Sequence, residues 1–225
     1  MPLSDHEPLI PQHGGYRNLK SFQIAQLIYD VTVRFCDRYI NKKSRTHDQM
    51  VQAARSGVQN IAEGSKASAT SKKMELKLTS VARASLEELR LDYEDFLRQR
   101  GLPILSPEHP ALVRFKKKRC SSLEQVRHWV AEEHVLQQSK EETDKHRQTR
   151  TGRERHRESR AVRVSVGQCE SLSPATLAAN GALSLLNLAC HLLTRQLERQ
   201  ARDFEQQGGF TERLYRVRSA KRRRQ

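Results

Sequence analysis

The chain has little from which to build a sheet, a disulfide framework or a membrane span. Its four cysteines, Cys36, Cys120, Cys169 and Cys190, stand far apart with no CxxC pair, so neither a zinc ribbon nor a disulfide scaffold is signalled. Cys36 and Cys190 fall on apolar helical stripes and read as small core residues. No apolar run reaches 18 residues and no basic-then-apolar leader opens the chain, which gives the expectation of a soluble, cytoplasmic protein. No stretch alternates with the period of a strand. Aromatic residues make up 5%, too few to pave a base-stacking surface once the core has taken its share. Phosphate-cradling glycine loops, dinucleotide fingerprints and nucleophile elbows are all missing, so the sequence reads as no enzyme and calls for no cofactor. Histidines are scattered: His109, His128, His134, His146 and His156 lie in one charged segment. His128 and His134 are six apart, which is not the spacing that sets two ligands on one helical face, and no metal is expected.

What the chain does have is positive charge. Lys and Arg number 41 against 26 Asp and Glu, a formal net charge of +15 over 225 residues. An anionic partner follows from that balance: nucleic acid first, an acidic protein second, a membrane surface third. The length suits one domain with accessory segments.

Apolar residues recur at helical spacing. After a lead over residues 1–16, rich in Pro and Gly and expected to be flexible, a first helix is predicted over 18–39, with Phe22, Ile24, Leu27, Ile28, Val31, Phe35 and Tyr39 as its stripe. A second is predicted to start at the Thr46-x-x-Gln49 capping box and to stop at Gly64, with Gly64 as the left-handed residue after its end. A third spans 71–100, stopped by Gly101-Leu102-Pro103. Residues 106–171 are dense in charge, and only 123–136, around Val126, Trp129 and Val130, has the pattern of a short amphipathic helix. The remainder lacks the apolar area to offset chain entropy. This segment is therefore expected to be a largely unstructured insertion whose removal leaves the fold intact. A fourth long helix opens at Ser173-Pro174 and runs to Gly208-Gly209, followed by a short extension and a basic tail over 210–225. The expected fold is all-α: an antiparallel up-down-up-down four-helix bundle formed by residues 17–105 and 172–209 and interrupted by the insertion.

Two basic runs are the strongest function-bearing features: Lys116, Lys117, Lys118 and Arg119, and Arg218, Lys221, Arg222, Arg223 and Arg224. Clusters of like charge are costly to hold together without a counter-anion, which makes both runs candidate nucleic-acid contacts; the bland alternative is a solubilising tail. Near the end of the second helix, Asn60 and Glu63 sit one turn apart. They read either as contacts to another subunit or partner, or as a polar pair that fixes helix register. Arg55 reads either as a neutraliser of a carboxylate across an interface or as a solvated side chain. Glu87 and Glu88 precede Arg90 and read as a surface salt-bridge face rather than as an acid/base pair.

Gln49, Ala53, Ala54, Ser56, Asn60, Ile61, Ala62, Glu63 and Gly64 follow a Q-x-x-x-A-A-x-S…N-I-A-E-G pattern. With the 81–89 stretch and the ending Gly208-Gly209-Phe210-Thr211-Glu212, this resembles the four-helix-bundle family of 23S ribosomal-RNA intervening-sequence proteins and retroelement accessory variability determinants, within it the four helix bundle suffix-domain subgroup. The resemblance covers about 16–104 and 173–218 and leaves out 106–171. It implies a homopentameric ring, nucleic-acid binding through a basic surface and, in the branch of diversity-generating retroelements, an accessory role beside a reverse transcriptase. It also marks Arg55, Asn60, Glu63 and Gly64 as motif residues at a subunit contact. The expected function is that of a non-enzymatic, homo-oligomeric protein that binds RNA or DNA with little sequence preference. The alternatives are a structural oligomer or protein adaptor, and a ribosome-associated RNA binder.

Overall fold

The computed structural model describes residues 14–152 and 172–223, and every described element is helical. Most of the lead (residues 1–13), the 153–171 part of the insertion with His156 and Cys169, and Arg224 lie outside the described residues.

The chain enters through a 3-10 turn, Tyr16–Asn18, with Tyr16 edge-on to Phe22 at 4.8 Å between ring centroids. Helix α1, Lys20–Tyr39, buries Phe22, Leu27, Ile28, Val31 and Phe35. Ile24 and Tyr39 pack at the edge of the same core. Helix α2 runs Arg45–Ala67, and both of its expected ends need correcting. Its N-cap is Ser44, whose hydroxyl accepts from the Thr46 amide at 3.3 Å, not Thr46 itself. Asn41 decides this, because its side chain takes the Lys43 amide and its carbonyl the Ser44 amide, which delivers Ser44 in the extended conformation a cap requires.

At the other end the helix runs straight through Gly64. A Cβ placed there would lie 3.3 Å from the Leu78 Cβ and 3.4 Å from the Glu75 carbonyl oxygen of the next helix. Gly57, two turns earlier, is tighter still, with Leu86 Cδ2 2.6 Å from where its Cβ would be. The two glycines therefore permit close helix approach and neither makes a turn.

Helix α3, Lys72–Gln99, begins and ends as its sequence predicts. Ser71 caps the Met74 amide at 3.2 Å. At its end Gly101 is left-handed (φ 64), its amide donating to the Arg98 carbonyl, while the Leu102 amide donates to that of Leu97 at 2.9 Å. That is the paired closure glycine provides. The same holds for the start of α6, Pro174–Gln207, where the Ser173 hydroxyl accepts from Thr176 at 3.1 Å and Pro174 occupies the first turn. Helices α1, α2, α3 and α6 pack in a closed cycle: α1 on α2, α2 on α3, α3 on α6 and α6 on α1. Inside it, Tyr93 is fully buried and donates its hydroxyl to Thr32 at 3.1 Å. An 18-residue stretch of the last long helix is apolar enough to cross a membrane (mean hydropathy 1.3), but 67% of it is buried within the protein, as expected for a core helix.

The charged segment departs most from expectation, although its one predicted helix, around Val126, Trp129 and Val130, is present from Leu123 onward. Its described part folds as α4, Pro110–Lys118, and α5, Leu123–Gly152, a hairpin laid on α6. Ala111, Leu112, Phe115, Cys120, Val126 and Trp129 all join the main core. Trp129 is fully buried, 4.5 Å from Phe115 between ring centroids, and rests on Gly181, where a Cβ would come within 2.9 Å of its Cζ3. Two ion pairs tie the hairpin together: Arg114 grips the buried Glu133 with two bonds of 2.5 and 2.7 Å, and Lys118 pairs with Glu132. Composition hid the packing, because Leu112, Phe115, Val126 and Trp129 join one core while Val135 and Leu136 stay exposed, and part of the charge is spent on pairs between α4 and α5. The link before α4 is held by the buried Asn180 of α6, which accepts from the Leu105 amide (2.8 Å) and donates to the Pro103 carbonyl (3.0 Å).

Candidate nucleic-acid interface

Helix α6 closes where Gly208 takes a positive φ of 70, and α7, Phe210–Arg222, follows at once. The Glu212 carboxylate accepts from the Gly209 amide at 2.9 Å, placing a negative charge where the helix dipole favours it. Arg216 donates to the Gln207 carbonyl at 3.0 Å and satisfies one open end of α6. Beyond these bonds to the end of α6, α7 makes no extensive helix pairing among the described residues. It presents one face at spacings of 4, 3 and 4: Thr211, Tyr215, Arg218 and Arg222. Tyr215 is 75% exposed, the most open of the exposed large apolar side chains, and Arg218, Arg222 and Arg223 are exposed beside it. Lys221 lies in the last turn of the same helix.

Tyr215 is the residue that sequence reasoning missed. The core takes Phe22, Phe35, Tyr93 and Phe96, as the helical spacing of the aromatics suggests, whereas Phe204 is 38% exposed. The signal for Tyr215 was available: an aromatic flanked by Arg213, Arg216 and Arg218 outside any long apolar stripe.

The first basic run is not one patch. Lys116, Lys117, Lys118 and Arg119 form the C-terminal end of α4, where cations meet the negative end of the helix dipole. Lys116 and Arg119 line one groove, while Lys117 and Lys118 do not. Lys118 is taken by Glu132, Lys116 donates to the Pro107 carbonyl at 2.8 Å, Arg119 is the left-handed residue after the helix, and Lys117 is exposed.

The motif residues of α2 also separate. Asn60 faces α3: its amide donates to the Ser56 carbonyl (2.9 Å) and hydroxyl (3.1 Å), and that hydroxyl bonds the Ser85 hydroxyl at 2.9 Å. Arg55 and Glu63 are exposed on the other side, and Gly64 is buried against α3. Because α2 continues to Ala67, Glu63 stands a turn away from the helix end, and Lys66 supplies positive charge there.

Pairing and burial act on a few titratable groups elsewhere. Arg90 bonds Glu87 at 2.8 Å and Glu94 at 2.6 Å, and its hydrogen bond holds the Glu87 carboxyl below the usual carboxylate range. Burial pushes the thiols of Cys36 and Cys190 up to about 12, which keeps both protonated at neutral pH. Among the described residues no group of three or more His, Cys, Asp or Glu side chains is placed to hold a metal ion. The chain matches no family model, no curated protein and no solved structure.

Proposed function

We propose that this chain is a non-enzymatic nucleic-acid-binding protein that grips phosphate through α7. The observation that carries the reading is the exposed arginine face of that helix, with Tyr215 open among the guanidinium groups. Arginine contacts to phosphate are sequence-independent, and one exposed tyrosine stacks on any base, so little sequence preference is expected. Such a protein binds RNA or DNA in the cytoplasm.

In this reading α1, α2, α3 and α6 form an antiparallel up-down-up-down bundle. The closed cycle of pairings supports it, as do the short links at 40–44 and 68–71. The family suggested by the α2 motif remains part of the proposal, and with it a homopentamer and, in the retroelement branch, a reverse transcriptase as partner. Assembly has support of its own on α3, where Met74 and Val81, two turns apart on one side, are 45% and 40% exposed and Leu91, about 80° further round the helix, is 54% exposed. These exposed apolar side chains also favour the second reading, an oligomeric protein adaptor.

A gel shift with structured RNA and with duplex DNA, titrated with salt, separates the two. Nucleic-acid binding predicts affinity that falls steeply with salt, whereas absence of any shift at ~50 mM salt, where electrostatic binding is strongest, leaves the adaptor. Light scattering on the same sample tests assembly: a species several-fold heavier than 26.0 kDa is expected, and a clean monomer at micromolar concentration removes the ring.

A further inference from the structure

Where α1, α4 and α6 meet, the surface opens into a groove of about 820 Å³. Its floor is nearly all aliphatic, with Ile24 and Leu27 from α1, Leu112 from α4, and Leu183 and Leu188 from α6; Phe115 is its one aromatic residue. Small-molecule pockets occupy about 300–1,000 Å³ and combine an apolar lining with a few placed polar groups. Three of those groups are cations: Lys20, Lys116 and Arg119 line the groove among neutral side chains such as Asn180 and Ser184, and the sole carboxylate, Glu94, is already bonded to Arg90 at 2.6 Å.

Arg119 is informative in its backbone as well as its charge. It has φ 49 and ψ 48, and among the described residues it is the only non-glycine residue with positive φ. A side chain with a Cβ adopts that conformation at a cost that glycine escapes. The turn alone therefore favours glycine, yet the chain holds an arginine there, at the groove wall. Lys116 is fixed at the same wall through the Pro107 carbonyl.

We propose that this groove binds a small amphipathic anion: a straight aliphatic chain lies along the floor and its terminal carboxylate sits at the α4 wall, against Arg119 and Lys116. The aliphatic floor suits a flexible hydrocarbon and offers no pair of rings to clasp a base. The uncompensated cations supply the complement to a single negative head.

The sole tryptophan reports on the site, because Trp129 packs on Phe115, a groove residue. The full chain is titrated with octanoate, decanoate and dodecanoate below their micellar concentrations, and binding is followed by tryptophan emission and by calorimetry. A saturable signal is expected, with affinity rising about fourfold per added methylene. Dodecanol, which keeps the chain but lacks the charge, binds about tenfold more weakly. Two variants isolate the groove. Arg119→Gly removes a cation at a position where glycine is conformationally preferred, so the protein melts at or above the wild-type temperature while dodecanoate binds about tenfold more weakly. Leu188→Glu, at a residue 44% exposed, puts a carboxylate into the groove and removes binding. The proposal is overturned by a titration with no saturation, as when a partner helix or a second copy fills the groove. Equal binding of dodecanol and dodecanoate, or unchanged affinity in Arg119→Gly, overturns it as well.

Discussion

Replacing Trp129 by alanine tests whether the charged middle of the chain belongs to the fold. The indole is fully buried between Phe115 and the backbone of Gly181, so its removal leaves a cavity that a close-packed core fills only in part. Truncating a buried tryptophan costs about 3–5 kcal/mol. For a domain of this size each kcal/mol moves Tm by about 2–4 °C, so calorimetry should show a drop of roughly 6–20 °C. A second substitution makes the test specific to the contact. Gly181→Ala in the wild type drives a Cβ to within 2.9 Å of the indole Cζ3, an overpacking that costs about 1–3 kcal/mol against the ~1 kcal/mol that alanine gains over glycine within a helix. In the Trp129→Ala background the clash is gone, Phe115 Cζ at 3.7 Å is an ordinary neighbour, and the same alanine should stabilise the protein by about 1 kcal/mol. A double-mutant cycle should therefore show the paired variant more stable than the two single losses predict. A Trp129→Ala protein that melts within a degree of wild type, or strictly additive losses, would refute the packing of α5 on α6.

Further outcomes follow from other contacts. Gly64→Ala should destabilise mildly by denaturant unfolding, because the atoms its Cβ would meet, the Leu78 Cβ and the Glu75 carbonyl oxygen, are held by the α3 backbone, and Gly57→Ala should destabilise more, against the fully buried Leu86. A gain of about 1 kcal/mol at Gly64, the helix-propensity difference alone, would show that α2 and α3 do not approach closely there. The thiols of Cys36 and Cys190 should resist iodoacetamide at pH 8 in the native protein and react on unfolding, as mass spectrometry would read. The Glu87 carboxyl is lowered in the folded state, so its contribution to stability is present above the unfolded carboxylate pKa and is lost as pH falls through the folded value. An Arg90→Gln variant should accordingly lose part of the acid-side stability change in a Tm-against-pH profile.

Local chemistry was legible where one residue has one use. The Gly101-Leu102-Pro103 stop and Ser173-Pro174 each mark a helix end because a left-handed glycine, a side-chain cap and a proline without an amide act within a turn of chain, whereas the sequence offers both Thr70 and Ser71 as the cap of α3 and the fold uses Ser71. Gly64 misled because glycine serves equally as a terminator and as a point of close approach, and only Leu78 and Glu75 across the interface distinguish the two. Ser44 was hidden because its capping geometry depends on the Asn41 turn before it. The start of α5 around Val126 and Trp129 was legible from its spacing, but α4 and the packing of both helices were hidden by averaging: a stretch dense in Lys, Arg and Glu reads as solvated, although Arg114 with Glu133 and Lys118 with Glu132 are mutual partners and Trp129 supplies a large buried surface. The basic runs were legible as charge but not as surfaces, since whether neighbouring head groups converge depends on packing. On α4 only Lys116 and Arg119 share a groove, and on α7 Arg218 and Arg222 share the face of Tyr215.

The salt dependence of nucleic-acid binding, compared between the wild type and an Arg218→Gln/Arg222→Gln/Arg223→Gln variant, tests the central claim most directly. These side chains are exposed on a helix that packs little against the rest, so the variant should keep its helical circular dichroism and its Tm. On duplex DNA the log–log slope should become shallower by about 0.9 for each arginine that contacts phosphate, with affinity lowered uniformly across unrelated sequences. Tyr215→Ala in place of the arginines should weaken single-stranded binding by a stacking increment of about 1–3 kcal/mol and leave the slope unchanged. An arginine variant with the wild-type slope and affinity would contradict the assignment of α7 as the binding surface.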